Sequence, residues 1–241
     1  MGRLDGFLAA GDLVTRKQAK AAVRDGRVTV DGVVAADPGL HLTGGERVAL
    51  DGSWIAPPGE VHVMMNKPAG CVTARSDSRD RAVMDILPAS LRDRAGPVGR
   101  LDKDATGLLL FTGDGQLAHR LISPKYRVEK RYLVEAEGRL TADDARAMAG
   151  GIPLKDFTCL PAALEILDAQ DDISRAEIVI YEGKYHQVKR MFRALGHPVR
   201  TLHRLSIGGV CLDPALEPGA YRELTAVEAA RLYGLTGLEK E

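Results

Sequence analysis

Residues Gly99 to Gly115 read G-R-L-D-K-D-A-T-G-L-L-L-F-T-G-D-G. The apolar run Leu108-Leu109-Leu110-Phe111, bounded by Gly107 and Gly113, is too short for a helix and is predicted to be a buried strand. Asp102, which follows Arg100 across one leucine, therefore stands on a loop that leads directly into the core. Such a carboxylate is held by a rigid element yet can still reach a cleft. Turn carboxylates commonly cap or tie a loop, so spacing alone leaves a structural and a catalytic role both open.

At 241 residues the chain can bury a substantial core, as one large domain or as a small one plus a larger one. Lys and Arg number 33 against 33 Asp and Glu, for a net charge of zero. A nucleic-acid partner then requires basic residues clustered in space, because phosphate affinity depends on local potential rather than on the sum. Cys71, Cys159 and Cys211 are scattered, with no C-x-x-C spacing. That argues against a disulfide framework or a zinc site and fits a reducing cytoplasm. The first residues, interrupted by charge and glycine, lack a signal-peptide core. No apolar run approaches membrane-spanning length. A soluble, cytoplasmic protein with no membrane association is expected.

Residues 1–57 read as one unit. Leu4, Phe7 and Leu8 have helical spacing and face inward, and Thr15 opens a second helix with Gln18 as its capping-box partner. Gly26 ends that helix. Arg16, Lys17, Lys20 and Arg24 fall in a stripe about 100° wide, with Ala19, Ala22 and Val23 on the other side. A basic stripe is commonly a solvated face. Here it is followed by Arg27 to Val34, a strand, a tight D-G turn and a second strand. Ala56-Pro57-Pro58-Gly59 breaks the pattern, and residues 58–61 are assigned as a linker.

A strand from Val61 to Met65 then runs into Asn66-Lys67-Pro68-Ala69-Gly70. Lys67 reads either as a backbone contact for RNA or as plain solvent-facing charge. Asp114 caps a helix from Gly115 to Ile122 that Pro124 closes, and Tyr126 to Glu135 alternates as a strand containing Lys130-Arg131-Tyr132-Leu133-Val134. Thr141 with Asp144 caps a helix ending at Gly150-Gly151, and strands follow near Leu164–Leu167 and Ala176–Tyr181. The helix expected over Tyr185–Leu195 buries Val188, Met191, Phe192 and Leu195. Its opposite side carries His186, Lys189, Arg190 and Arg193 with no acid, a second basic patch. Strands over Arg200–Ile207 and Val210–Leu212, then a helix capped by Thr225 with Glu228, close the chain. His119, His197 and His203 have no metal-site spacing.

The stretch G-R-L-D-x-D-x-T-G-L-L-L-x-T-x-D-G resembles the signature of the pseudouridine synthases, in particular the branch that modifies ribosomal RNA and carries an S4 domain. Ala105-Thr106 and Gly113 depart from the usual Thr-Ser and Asn, away from the Arg and the Asp. N-K-P-x-G at Asn66–Gly70 is similar to the family's opening motif, and the order R-L-D-x-F-L-A, T-R-K-Q-A-K, G-R-V-T-V-D-G resembles the S4 domain. Gly44-Gly45-Glu46-Arg47-Val48 would be the turn and closing strand of that module.

The resemblance implies an α+β protein: an S4 (alpha-L) RNA-binding domain over 1–57, the linker, and a catalytic domain over 62–241 whose mostly antiparallel mixed sheet is flanked by helices. It implies breakage of the N1–C1′ bond of a uridine and rejoining through C5, without cofactor or metal. Asp102 matches the required aspartate. Its roles open in the family are attack on base or sugar, or abstraction of a sugar proton; each needs an ionised carboxylate, which a neighbouring cation favours.

His186-Gln187-Val188-Lys189 matches the motif that supplies that cation. Lys189 is the assignment and Arg190 the competing choice, the two splaying about 100° apart. Tyr132 corresponds to the base-stacking tyrosine, and Arg100 to the arginine that fills the space of the flipped nucleotide or ties its phosphate. Arg190 and Arg193, with Arg16, Lys17, Lys20 and Arg24, are the expected RNA contacts. The segment E-G-K-Y-H-Q-V-K-R-M-F and the tail motifs are most similar to the branch acting on small-subunit (16S) rRNA. A monomer acting on 16S rRNA in an assembly intermediate is expected. The alternatives are large-subunit (23S) rRNA, a non-catalytic S4-type RNA-binding or ribosome-assembly protein, and a hydrolase using Asp102.

Overall fold

The computed structural model describes residues 2–10, 14–43, 46–55 and 61–238. They cluster into two units, one drawn from Met1–Glu60 with Pro88–Arg94, the other from Val61–Leu87 with Ala95–Glu241.

In the first unit, α1 (Leu4–Ala10) and α2 (Arg16–Arg24) pack with a small sheet of β1 (Val28–Val30), β2 (Val33–Val34), β3 (Val48–Leu50) and β4 (Ser53–Trp54) in the order β2-β1-β3-β4. The Thr15–Gln18 capping box forms, with Gln18 N–H donating to Thr15 Oγ1 at 3.3 Å and Thr15 N–H to Gln18 Oε1 at 2.8 Å. Asp31 and Gly32 both take positive φ, 51° and 81°, the geometry a two-residue D-G hairpin turn demands. Leu4, Leu8, Ala19, Ala22, Val23, Val28 and Val48 form the core. Arg16, Lys17, Lys20 and Arg24 are all exposed; Lys20 Nζ lies 3.8 Å from the buried carboxylate of Asp5. The turn at Gly44-Gly45 and the linker positions 56–60 lie outside the described residues.

The second unit contains β5 (His62–Lys67), β6 (Gly96–Pro97), β7 (Thr106–Thr112), α4 (Gly115–Ile122), β8 (Lys130–Glu137), α5 (Ala142–Gly150), β9 (Ala163–Ala169), β10 (Ile173–Ile180), α6 (Gln187–Ala194), β11 (Val199–Ile207), β12 (Val210–Cys211), β13 (Tyr221–Glu223) and α7 (Ala226–Thr236). The short helix α3 (Ala89–Arg92) falls in the Pro88–Arg94 segment of the first unit. The nine-stranded sheet has the order β13-β5-β7-β11-β8-β10-β9, with β12 on β11 and β6 on β7. Every pairing described in it is antiparallel except β7 with β11.

Leu108 to Phe111 are all at most 1% exposed, because β7 sits between β5 and β11 and is covered on both faces. α4 and α7 supply Leu117, Leu121, Leu232 and Tyr233 to the core over Met64, Leu108 and Leu110. No helix among the described residues is long and apolar enough to cross a membrane.

Two expected boundaries move. The strand read from Tyr126 begins at Lys130, because Pro124–Tyr126 form a 3-10 turn and Arg127 takes φ 48°. The helix read from Tyr185 begins at Gln187, because His186 is its N-cap residue at φ 48°, a left-handed conformation that a helix cannot contain.

At the far edge of the sheet, Arg222 grips Glu228 with two bonds of 2.8 Å and Asp213 with one of 2.7 Å. The Arg222 guanidinium holds the Glu228 carboxyl down to about 2. A depressed carboxyl stabilises the fold above its unfolded value, and that contribution is lost as pH falls from 4.5 toward 2. Glu228→Gln is therefore expected to destabilise by about 1–3 kcal/mol at pH 7. Urea unfolding at pH 7 and pH 3 checks this, since the deficit is to shrink at the lower pH.

Candidate active site

The loop bearing Asp102 is tied down on both sides. Thr73 Oγ1 donates to Leu101 O at 2.8 Å and accepts from Leu101 N–H at 3.1 Å; Gly70 N–H donates to Lys103 O at 2.8 Å. Lys67, at the end of β5, is fully buried. Its ammonium donates to the carbonyls of Pro68 (3.0 Å), Lys103 (3.3 Å) and Ala105 (2.8 Å). Neither role read for Lys67 fits: its three donors are consumed by carbonyls of the loop, so it touches neither solvent nor an RNA strand. Burial pushes its pKa down, and the charges of Asp104 and Asp102 oppose that shift.

Asp102 itself keeps a partly exposed carboxylate, 23% of its side chain. Lys189 Nζ, on the first turns of α6, lies 3.4 Å from Asp102 Oδ2 and 2.5 Å from Asp104 Oδ1. The Lys189 bond holds the Asp104 carboxyl below its ordinary range. His186 Nε2 lies 3.5 Å from Asp102 Oδ1. Arg190 points elsewhere, onto Asp156, with its guanidinium 5.1 Å from the Phe157 ring centre. Arg193 is exposed. The basic side of this helix is thus not acid-free in space: the acids come from other elements, namely Asp102, Asp104 and Asp156.

Tyr132 is 6% exposed on β8, and Arg204 Nη1 donates to its hydroxyl at 3.5 Å. Arg100, Asp102, Tyr132, Lys184, His186 and Leu202 line one cleft. The described residues therefore bring Asp102, Tyr132 and Arg100 to one cleft, with Lys189 joined to it through its pair with Asp102 and with Arg190 and Arg193 on the same helix but away from Asp102. Arg16, Lys17, Lys20 and Arg24 belong to the first unit.

Three features escaped the sequence reading. His186 pairs with Asp102 only because the left-handed cap swings it off the helix. Its ring also stacks on Tyr185, with centres 3.9 Å apart and planes 16° apart, while Tyr185 is 77% exposed. Arg204 and Lys130 are buried. Alternation offered one signal for Arg204: it falls in phase with the buried positions Leu202 and Ser206 of β11. No group of three or more His, Cys, Asp or Glu residues that could hold a metal occurs among the described residues.

The family profile described as "RNA pseudouridylate synthase" matches residues 61–194, and the profile "S4 domain" matches residues 2–48. The chain is 43% identical over 229 residues to "Uncharacterized RNA pseudouridine synthase YtzG" of Bacillus subtilis (strain 168), covering 94% of this chain and 96% of that protein. It is 42% identical over 232 residues to "Ribosomal small subunit pseudouridine synthase A" of Escherichia coli (strain K12), covering 95% and 98%. A crystal structure of a pseudouridylate synthase, 38% identical, superposes with a TM-score of 0.68 over 96% of this chain and 100% of that one.

Proposed function

Because the chain belongs to the RNA pseudouridylate synthase family and carries an S4 domain, it is a pseudouridine synthase, and we propose that it isomerises one uridine of 16S rRNA with Asp102 as the reacting carboxylate. The observation that carries the assignment is that Asp102 and Tyr132, from a loop and a strand, line one cleft while Lys189, from a helix, pairs with the Asp102 carboxylate. Similarity over nearly the full length to a small-subunit enzyme supports 16S as the substrate.

In this reading the target uridine leaves its stack and enters the cleft, where Tyr132 offers a ring face to the base. Asp102 reacts while Lys189 and His186 hold its two oxygens in place. The N1–C1′ bond breaks, the base turns within the pocket, C5 joins C1′, and the proton displaced from C5 is balanced by one gained at N1. Arg100 occupies the place the uridine vacates or ties its phosphate. The enzyme acts as a monomer on a small-subunit assembly intermediate, and the exposed stripe Arg16-Lys17-Lys20-Arg24 grips the RNA backbone.

The direct test incubates the full chain with 16S rRNA, 23S rRNA and small-subunit assembly particles, and maps pseudouridine by carbodiimide-blocked primer extension. A new stop on 16S in the particle is expected. A stop on 23S alone overturns the subunit assignment, and no stop on any substrate overturns the activity.

Two further outcomes follow from the geometry. Lys189→Met is expected to lower turnover by about 10²–10³-fold, whereas Arg190→Met, which loses an Asp156 pair and a Phe157 ring contact but nothing at Asp102, is expected to stay within about threefold; single-turnover kinetics distinguish them. Lys17→Ala is expected to weaken RNA binding and reduce the slope of log K against log salt by about one, read by filter binding across a salt series.

A further inference from the structure

Tyr132 is shared by two cavities. The first is the cleft of Asp102. The second is lined by Gly99, Arg100, Lys130, Tyr132, Arg204 and Ile207 among others, and no acidic residue among the described residues lines it. Two of its cations are deep in the protein, Lys130 at 6% and Arg204 at 3% exposure. Neither has an ion pair among the described residues. Lys130 Nζ donates only to the carbonyl of Val128 at 2.8 Å. Arg204 Nε donates to Leu108 O at 2.7 Å and Nη1 reaches the Tyr132 hydroxyl, but Nη2 is buried with no acceptor.

Buried cations without a counter-ion are strongly disfavoured unless something negative joins them. Lys67, the structural buried lysine of this unit, spends its donors on three carbonyls, whereas Lys130 has one such acceptor and Arg204 leaves Nη2 with none. Here the two are instead placed near each other, and burial together with the Arg204 charge brings Lys130 down to about 8. Such an arrangement survives where function needs it. A planar guanidinium with an unused N–H beside a point-charge ammonium is the donor set that phosphate oxygens take.

We propose that this second cavity binds a phosphodiester of the substrate RNA adjacent to the flipped uridine, held by Lys130 and Arg204 with the exposed Arg100 beside them. The assignment rests on the RNA-modifying function proposed above and adds to it a fixed pivot: with one phosphate anchored behind Tyr132, rotation of the neighbouring nucleotide delivers its base to the Asp102 side of the same ring.

The test has two arms. In the first, thermal unfolding of the full chain is followed in inorganic phosphate against chloride at matched ionic strength. Phosphate is expected to stabilise wild type with a saturable dependence, and Lys130→Met to weaken the apparent phosphate affinity by about tenfold or more. Arg204→Lys, which keeps the charge but loses the fork, is to weaken it less. Lys130→Met exchanges a buried charge for an apolar chain of similar length, so its fold is expected to survive. Identical phosphate dependence in wild type and both variants overturns the site. Turnover plays no part in this arm, so absence of pseudouridine on every RNA would sink the proposed activity and not the anion site.

In the second arm, RNA substrates carry one neutral methylphosphonate linkage beside the mapped uridine. One position is expected to weaken wild-type binding about tenfold and to add nothing to the loss in Lys130→Met. Equal losses in both proteins at every position would overturn the phosphodiester assignment and give the cavity to free phosphate.

Discussion

Asp102→Asn is expected to lower pseudouridine formation by roughly 10⁴-fold or more while RNA affinity stays within about twofold of wild type. The substitution preserves shape and removes only the charge. Its neighbours are already provided for: Lys189 keeps its 2.5 Å bond to Asp104, so no ammonium is stranded. The loop keeps its ties to Lys67 and Thr73, which run through main-chain atoms of Leu101, Lys103 and Ala105 and never through the Asp102 side chain. Stability is therefore expected to change by less than about 1 kcal/mol. What is lost is the ionised oxygen that attack or proton abstraction requires. Single-turnover assays for pseudouridine, paired with filter binding and urea unfolding, check the three quantities together. Loss of binding alongside turnover would make Asp102 a structural residue, and undiminished turnover would transfer the chemistry to another group.

The contrast between Asp102 and Lys67 shows which parts of the site are legible in a sequence. The Thr15–Gln18 and Thr225–Glu228 boxes and the Asp114 cap rest on partners within a few residues, and the strand over Leu108–Phe111 declares itself by an unbroken apolar run between glycines, so local rules suffice for them. Lys67, His186 and Arg204 owe their roles to distant segments. Lys67 meets carbonyls 36 and 38 residues away, and Arg204 meets Tyr132 across 72 residues. The choice between Lys189 and Arg190 has the same origin. Helical geometry splays the two apart, but their partners lie 85 and 34 residues off, on the Asp104 loop and at Asp156. Periodicity says that a residue leaves the helix face at a given angle; it does not say what waits there. A left-handed residue such as His186 escapes even that rule, since one reversed φ redirects a side chain that helical spacing would have aimed elsewhere.

Gly107→Ala is expected to destabilise the protein on the order of 4 kcal/mol or more, the largest effect of any single methyl in this unit. Gly107 has φ 96°, and a Cβ there would lie 2.4 Å from Arg204 O and 2.7 Å from Arg204 N. Those atoms belong to the backbone of β11 at its parallel junction with β7, where Arg204 pairs with Gly107 and His203 with Thr106. Both strands lie inside the sheet, flanked by β5 and β8, so neither can step aside without disturbing a second ladder. The same contact sets the height of Arg204, whose guanidinium bridges Leu108 O and the Tyr132 hydroxyl; turnover is expected to fall with stability. Gly196→Ala supplies the reference, because Gly196 has φ 89° in open space and isolates the conformational penalty of about 1 kcal/mol. The excess of the first variant over the second, read from urea midpoints, measures the β7–β11 clash. A Gly107→Ala protein no less stable than Gly196→Ala would mean that the two strands can separate, and that the register joining the Asp102 loop to Tyr132 is not fixed by this glycine.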